Sequence, residues 1–337
     1  MTEAPSPPLA TFILFAYNQE QYVREAVEGA FAQTYSPLEI ILSDDCSPDG
    51  TFAIMQELVA AYRGPHKVRA VQTPRNLGLI QHVLLRGREA KGEVVVVAAG
   101  DDISMPSRVA VMAEAFTPDV GAAYSLSDLI DEDGNLIRKA IERGIRPDTF
   151  DAKIARAMCL KGDLSHVRVT QGSTAAYRAK VFDVPIDEGR KAYSEEMLLC
   201  FYSHLLGLRT ALVSESLVAY RERPGALSNT PAAERKAKAD MPEHRRRFSR
   251  KMNMEMYLDF HKIAYGRDSE GRIDRPAIVR NYREEETKFF WIDMSWFQKF
   301  AATVSAALSG NWQLAAWCAS RLLGVYELAR RKALVDK

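Results

Sequence analysis

The sequence predicts an α/β fold: a mostly parallel sheet flanked by helices, with a helical C-terminal extension. Strand and helix signals alternate through the first third of the chain. The four consecutive valines Val94–Val97 mark a strand buried on both faces. Strand signals become sparse beyond Pro231, where the chain reads as helical.

The elements follow in order. Leu9–Phe15 is apolar and partly β-branched, a strand. Val23, Ala26, Val27, Ala30 and Phe31 then recur at helical spacing. Leu38–Leu42 is a second strand, closed by the turn cluster Ser47-Pro-Asp-Gly-Thr51 and followed by a helix carrying Ile54, Leu58, Ala61 and Tyr62. Val68–Val71 reads as a strand, Leu79–Ala90 as a helix and Val94–Val97 as the buried strand. Ala122–Leu126 is a further strand and Asp131–Asn135 a turn. A mixed region then runs to Asn229.

Length and charge narrow the options. The chain has 337 residues, with 45 Lys+Arg against 44 Asp+Glu, so its formal net charge is +1. That size suits one large domain plus an extension, and the balance argues against a chain-wide field for polyanions, nucleic acid included. The four cysteines lie far apart, without metal or disulfide spacing, as in a reducing compartment. Residues 1–8, with one acid and three prolines, read as a disordered lead-in rather than a signal peptide. No uncharged apolar stretch approaches the ~18 residues of a membrane span, and the best candidates, Val94–Ala99 and Ala301–Leu308, are core-sized. The expectation is a cytoplasmic protein, at most peripheral at the inner face of the cell membrane.

In an open α/β sheet, ligands bind at the carboxyl ends of the strands. After the first strand stands Ala16-Tyr-Asn-Gln-Glu20, not a dinucleotide-binding G-x-G-x-x-G, and no P-loop occurs. Two acid pairs stand there instead, Asp44-Asp45 and Asp101-Asp102. Such pairs repel unless something offsets them. Hard carboxylate oxygens suit Mg²⁺ or Mn²⁺ shared with substrate phosphates, and turn and helix-cap chemistry is the alternative.

At these residues the sequence resembles a family-2 glycosyltransferase of the GT-A (Rossmann-like) fold, inverting, of the kind that builds bacterial surface polysaccharides. The matching segments are Phe15-Ala-Tyr-Asn18, Ser43-Asp-Asp-Cys-Ser-Pro-Asp-Gly-Thr51, Asn76-Leu-Gly78 and Gly100-Asp-Asp102 with Met105-Pro106 and Arg108. The resemblance implies a catalytic domain over 9–229, with a nucleotide-binding half at about 9–120 and an acceptor half at about 121–229, before a helical region at 230–337. It implies that Tyr17 stacks on the nucleobase, that Asp45 accepts a hydrogen bond from the base with Asp44 close by, and that Asp101 faces the ribose. Asp102 would bind the Mn²⁺ or Mg²⁺ that stabilises the leaving diphosphate. Asn76, with Arg75, would line the donor pocket or simply form a turn.

The same resemblance puts the general base in Tyr193-Ser-Glu-Glu-Met-Leu-Leu-Cys200, with Glu196 as base and Glu195 its companion where the family usually has Glu-Asp. An N-terminal helix cap, with Ser194 and two first-turn acids, is the competing reading. Gly172-Ser173 and Arg178 would shape the acceptor side, unless Arg178 is a surface ion pair. Tyr220–Asn229 resembles a mobile loop of the family, with Arg223 where that loop has His. Arg221 and Arg223 would therefore contact diphosphate rather than metal.

The tail combines the basic run Arg235–Lys251 with Phe289, Phe290, Trp291, Trp296, Phe297, Trp312 and Trp317. It reads either as core or homodimer face or as a peripheral contact with an anionic membrane. The functional expectation is transfer of a sugar from a nucleoside-diphosphate sugar, UDP-sugar favoured, to a hydroxyl of a glycan or lipid-linked acceptor. The alternative is a non-catalytic sugar-nucleotide-binding or scaffold protein of the same fold. A nucleotidyltransferase would need a Gly-rich, Arg-containing loop at Ala16–Glu20, which is not there.

Overall fold

A computed structural model describes residues 6–140, 172–185, 195–223, 296–308, 310, 314–316 and 318–319. The first half alternates as its sequence demands: β1 (Ala10–Ala16), α1 (Val23–Phe31), β2 (Leu38–Asp44), α2 (Thr51–Ala61), β3 (Lys67–Gln72), α3 (Leu79–Glu89) and β4 (Val94–Ala99). There follow β5 (Ile103–Ser104), α4 (Arg108–Glu114), β6 (Val120–Ile130), β7 (Leu136–Arg138), β8 (Ala175–Arg178), α5 (Glu195–Leu205), β9 (Arg209–Arg221) and α6 (Trp296–Leu308).

The strands form one sheet in the order β3-β2-β1-β4-β8-β6-β9-β5, with β7 added beside β6. Strands β3, β2, β1 and β4 are parallel, so their carboxyl ends share one edge. The next strand, β8, is antiparallel to both β4 and β6. β9 runs parallel to β6 through several register shifts and also pairs antiparallel with β5. That bend brings Arg221, at the end of β9, back to the loop after β4.

Alternation along the strands fills two cores. Ile13, Phe15, Val95 and Val97 face α3 and α5 through Val83, Leu84, Leu198 and Phe201. Phe12, Leu14, Val94 and Val96 face α1 and α4 through Val23, Val27, Val109 and Met112. The valine run is therefore divided between both faces of the sheet. Edge strand β3 is half-exposed and carries Lys67 and Arg69, which discourage further strand pairing.

One polar contact crosses the first core. Ser43 Oγ pairs with His82 Nε2 at 2.6 Å and accepts from Arg86 Nε at 3.0 Å, tying β2 to α3. Burial lowers the His82 pKa to about 4, so the ring there is neutral. Arg178, expected on the acceptor side or in an ion pair, takes the second role. It pairs with Glu93 and donates to the carbonyls of Val120 and Thr117, locking β8 onto the start of β6.

Candidate active site

The loops after β1 and β2 are woven together. The N–H groups of Asn18, Gln19 and Glu20 donate to Ser47 Oγ (2.9 Å), Thr51 Oγ1 (2.8 Å) and Asp49 Oδ2 (3.1 Å), and Gly50 N–H donates back to Glu20 Oε2 (2.6 Å). Asn18 takes the left-handed conformation (φ 55°) in the tight turn off β1. The turn leaves Tyr17 49 % exposed at the strand's end, an open aromatic face.

Both acids after β2 are buried and engaged. Asp44 accepts from Ser47 N–H and Gln72 Nε2, each at 2.8 Å, and from the Ser47 hydroxyl. Turn chemistry therefore accounts for Asp44. Asp45 accepts from Leu77 N–H (2.9 Å), Thr73 Oγ1 (3.0 Å) and Gly78 N–H (2.9 Å), and so shapes the loop between β3 and α3. Asn76 accepts from Gly78 N–H at 3.1 Å in the same turn.

The pair after β4 differs. Asp101 accepts from Arg223 Nε at 2.9 Å through Oδ2. Asp102 is buried and accepts from Arg221 N–H at 2.9 Å through Oδ1, whereas its Oδ2 has no hydrogen-bond partner. Burial, helped by the neighbouring Asp101 charge, raises the Asp102 pKa to about 7; Arg221 N–H, Ser173 and Arg108 act in the opposite sense. Ser173 Oγ is buried beside this carboxyl without completing a well-formed hydrogen bond to it. A buried carboxylate oxygen left bare is costly unless something binds it.

That bare oxygen fits a hard divalent cation, which Mg²⁺-type sites hold through one or two carboxylates plus substrate phosphates. Among the described residues no group of three or more His, Cys, Asp or Glu side chains could hold a metal. The remaining ligands would come from phosphate and water.

Arg221 departs from the expected diphosphate contact. Its side chain is 1 % exposed and paired with Glu25 of α1. Its Nε donates to Asp101 O at 2.9 Å, and its Nη1 to the carbonyls of Asp131 (3.2 Å) and Glu132 (2.6 Å). The guanidinium sits 5.0 Å from the Tyr22 ring centroid. With its donors occupied, Arg221 braces the Asp101-Asp102 loop from behind. Arg223, on Asp101 itself, is the arginine nearer the carboxylates.

The second acid pair opens α5. Glu196 Oε1 accepts from Gly172 N–H at 2.9 Å. A Cβ on Gly172 would lie 2.8 Å from Oε1 of both Glu195 and Glu196, so the two carboxyls close on one backbone position and a side chain there would displace them. Burial, then the Glu196 charge, raises the Glu195 pKa to about 8. Near neutral pH Glu195 therefore holds a proton, and Glu196 is the more exposed of the two. The cap residue Ser194 lies outside the described residues.

The short 3₁₀ turn Gly172–Thr174 thus touches both acid groups: Ser173 lies beside Asp102, which neighbours the Asp101–Arg223 pair, and Gly172 N–H holds Glu196 beside Glu195. Tyr17, Asp44, Asp45 and Asn76 belong to the neighbouring loops of the same sheet edge. Sequence reasoning missed Glu25, which carries no pattern signal, and the burial of Arg108. The basic run Arg235–Lys251 and the tail aromatics Phe289, Phe290, Trp291, Trp312 and Trp317 lie outside the described residues. Among the described residues no helix is long and apolar enough to cross a membrane.

Comparison with known proteins agrees with the geometry. The model of glycosyl transferase family 2 matches residues 11–184. An uncharacterized glycosyltransferase of Nostoc is 26 % identical over 287 residues, covering 82 % of this chain and 81 % of that one. Against uncharacterized mycobacterial proteins the match is 37 % over 93 residues, and the chain spans only 26 % of their length. Among solved structures, Staphylococcus aureus TarS in complex with UDP-GlcNAc superposes with a TM-score of 0.50 at 16 % identity, covering 94 % of this chain and 92 % of that one. A Pyrobaculum calidifontis mannosyltransferase in complex with GDP-Man and Mn²⁺ gives the same score and identity, covering 98 % and 88 %. At that identity the likeness speaks for the fold.

Proposed function

This chain belongs to glycosyl transferase family 2, and on that premise we propose that it is an inverting enzyme. It moves a sugar from a nucleoside-diphosphate sugar, UDP-sugar favoured, to a hydroxyl of a glycan or lipid-linked acceptor. The observation that carries the reading is the turn Gly172–Thr174, where Ser173 lies beside the buried Asp102 carboxyl and Gly172 N–H holds Glu196 of the glutamate pair. Displacement at an anomeric carbon needs both: something to stabilise the departing diphosphate and, opposite it, a base for the incoming hydroxyl.

In this reading residues 9–120 hold the donor. The exposed Tyr17 ring offers a stacking face for the base, and the loop that Asp45 shapes, with Asn76, borders the nucleoside. Asp101 faces the ribose. Asp102 would hold Mn²⁺ or Mg²⁺, which when bound supplies positive charge to the leaving diphosphate. Arg223 adds a cation on the same side.

Glu196 takes the acceptor proton. As the acceptor oxygen bonds to the anomeric carbon, the bond from that carbon to the diphosphate oxygen breaks and the nucleoside diphosphate departs. Glu195, buried beside it, keeps its own proton and adds no second negative charge next to the base.

Calorimetric titration of UDP, GDP and dTDP, each with and without Mn²⁺, into wild type and Asp102→Ala tests the donor half. Metal-dependent binding of one diphosphate, lost in the variant, is expected. No binding of any diphosphate under either condition overturns the proposal.

A further inference from the structure

Arg108 is the largest fully buried side chain of the molecule's described residues, at 0 % exposure, and no carboxylate hydrogen-bonds to it. Burying a guanidinium in this way is expensive unless its N–H groups and its charge are both answered. Nε is left without a hydrogen-bond partner, but both terminal nitrogens are engaged, from three separate places. Nη1 donates to Ser104 Oγ at 2.9 Å, on β5. Nη2 donates to the carbonyl of Val97 at 2.6 Å, in β4, and to the carbonyl of Ser173 at 2.7 Å, in the 3₁₀ turn. The charge is answered by the neighbouring Asp102, and the guanidinium lies 5.8 Å from the Phe12 ring centroid.

These contacts form a rigid chain across the site. Val97 leads through Ala98 and Ala99 into Gly100-Asp-Asp102, the donor-side acids. Ser173 adjoins Gly172, whose N–H holds Glu196. Arg108 therefore sits at the junction between the acid loop and the glutamate pair, grasping the backbone on both sides.

We propose that Arg108 is the positioning residue that sets the separation between the diphosphate-side carboxylates and the Glu195–Glu196 pair, through the carbonyls of Val97 and Ser173. The inference rests on the glycosyl-transfer reading for its consequence, though the mechanical link does not depend on it. A base misplaced by about 1 Å loses on the order of 100-fold in rate. Donor binding, which needs Asp102 but not the glutamate pair, should change less than turnover when the positive charge beside Asp102 is kept.

The test uses Arg108→Lys, which keeps a positive charge but cannot grip both carbonyls with a planar fork. Ser104→Ala, which removes a single hydroxyl from the same guanidinium, serves as the milder variant should Arg108→Lys fold poorly. Two measurements are made on the full chain. The first is hydrogen exchange at the Gly172–Thr174 amides. The second is steady-state transfer, with calorimetric affinity for the nucleoside diphosphate.

The expected result for Arg108→Lys is at least tenfold faster exchange at the turn, kcat down 10- to 100-fold, and KM and diphosphate affinity within about threefold of wild type. Ser104→Ala should move in the same direction by less. Unchanged exchange in both variants overturns the proposal. So does a fall in diphosphate affinity parallel to the fall in kcat, which marks Arg108 as merely structural. Wild type that transfers no sugar would sink the functional reading alone, and the exchange measurement then still decides the link.

Discussion

The backbone N–H of Arg221 donates to Asp102 Oδ1 at 2.9 Å, across 119 positions of sequence. One oxygen of the carboxylate is thereby fixed by β9, and the other is left bare in a buried site. The Ser173 hydroxyl approaches the carboxyl from the acceptor side of the site, and it completes no full hydrogen bond there.

Asp102→Asn should remove metal-dependent nucleoside-diphosphate binding, by tenfold or more in calorimetric affinity, without unfolding the chain. The ordinary carboxyl pKa is 3.8 and burial lifts it to about 7, so ionisation of this group opposes folding. Thermal midpoints at pH 8 should therefore be equal to or above wild type.

Glu196→Gln should lower kcat by about 10²- to 10⁴-fold, the usual worth of a positioned general base, while donor affinity stays within a few fold. Glu195→Gln should cost less, since its carboxyl already holds a proton near neutral pH. The wild-type kcat profile should rise with pH through an apparent pKa that belongs to the pair. Rapid-quench turnover between pH 5 and 9 checks both.

Stability should also report the pair. Glu195 has a folded pKa of about 8 against an ordinary 4.5, so the folded chain binds this proton more tightly than the unfolded chain. Its contribution is complete below about pH 4.5 and is lost as pH rises to about 8. Asp102 acts with the same sign and neutral His82 with the opposite one, its folded pKa being lowered to about 4. The difference between wild type and Glu195→Gln isolates the first. In urea titrations the variant should gain on wild type steadily from pH 5 to 8.

Ser43→Ala should destabilise by about 1–3 kcal/mol, because it strands His82 Nε2 and Arg86 Nε in the core. The change lies behind the sheet edge, so donor affinity should hold. Chemical denaturation beside a diphosphate titration separates the two effects.

The parallel half of the sheet was legible because burial there follows period. The valines of β4 and the alternating residues of β1 face two cores, as their spacing requires. The pairing of β8 between β4 and β6 was not legible, since periodicity says which face is buried and nothing of which strand comes alongside. Among site residues, the positions of Asp102, Glu195 and Glu196 followed from their motifs. The fate of Asp44 did not, because the choice between a ligand and a turn depends on whether Gln72 and Ser47 reach it. The burial of Arg108 and Arg221 was not legible for a similar reason. Arginine is ordinarily a surface residue, and it is buried only where backbone carbonyls from distant segments converge.

The insertion of β8 beside β4 also has a consequence for how the chain is made. A ribosome delivers β1 to β4 well before residues 175–178, and until then the edge of the valine strand has no neighbour on that side. The nascent chain carries an open, apolar, β-branched edge during that interval. Fragments that stop short of Ala175 should therefore aggregate, and expression yield should depend on chaperone supply more steeply than the stability of the finished protein would suggest.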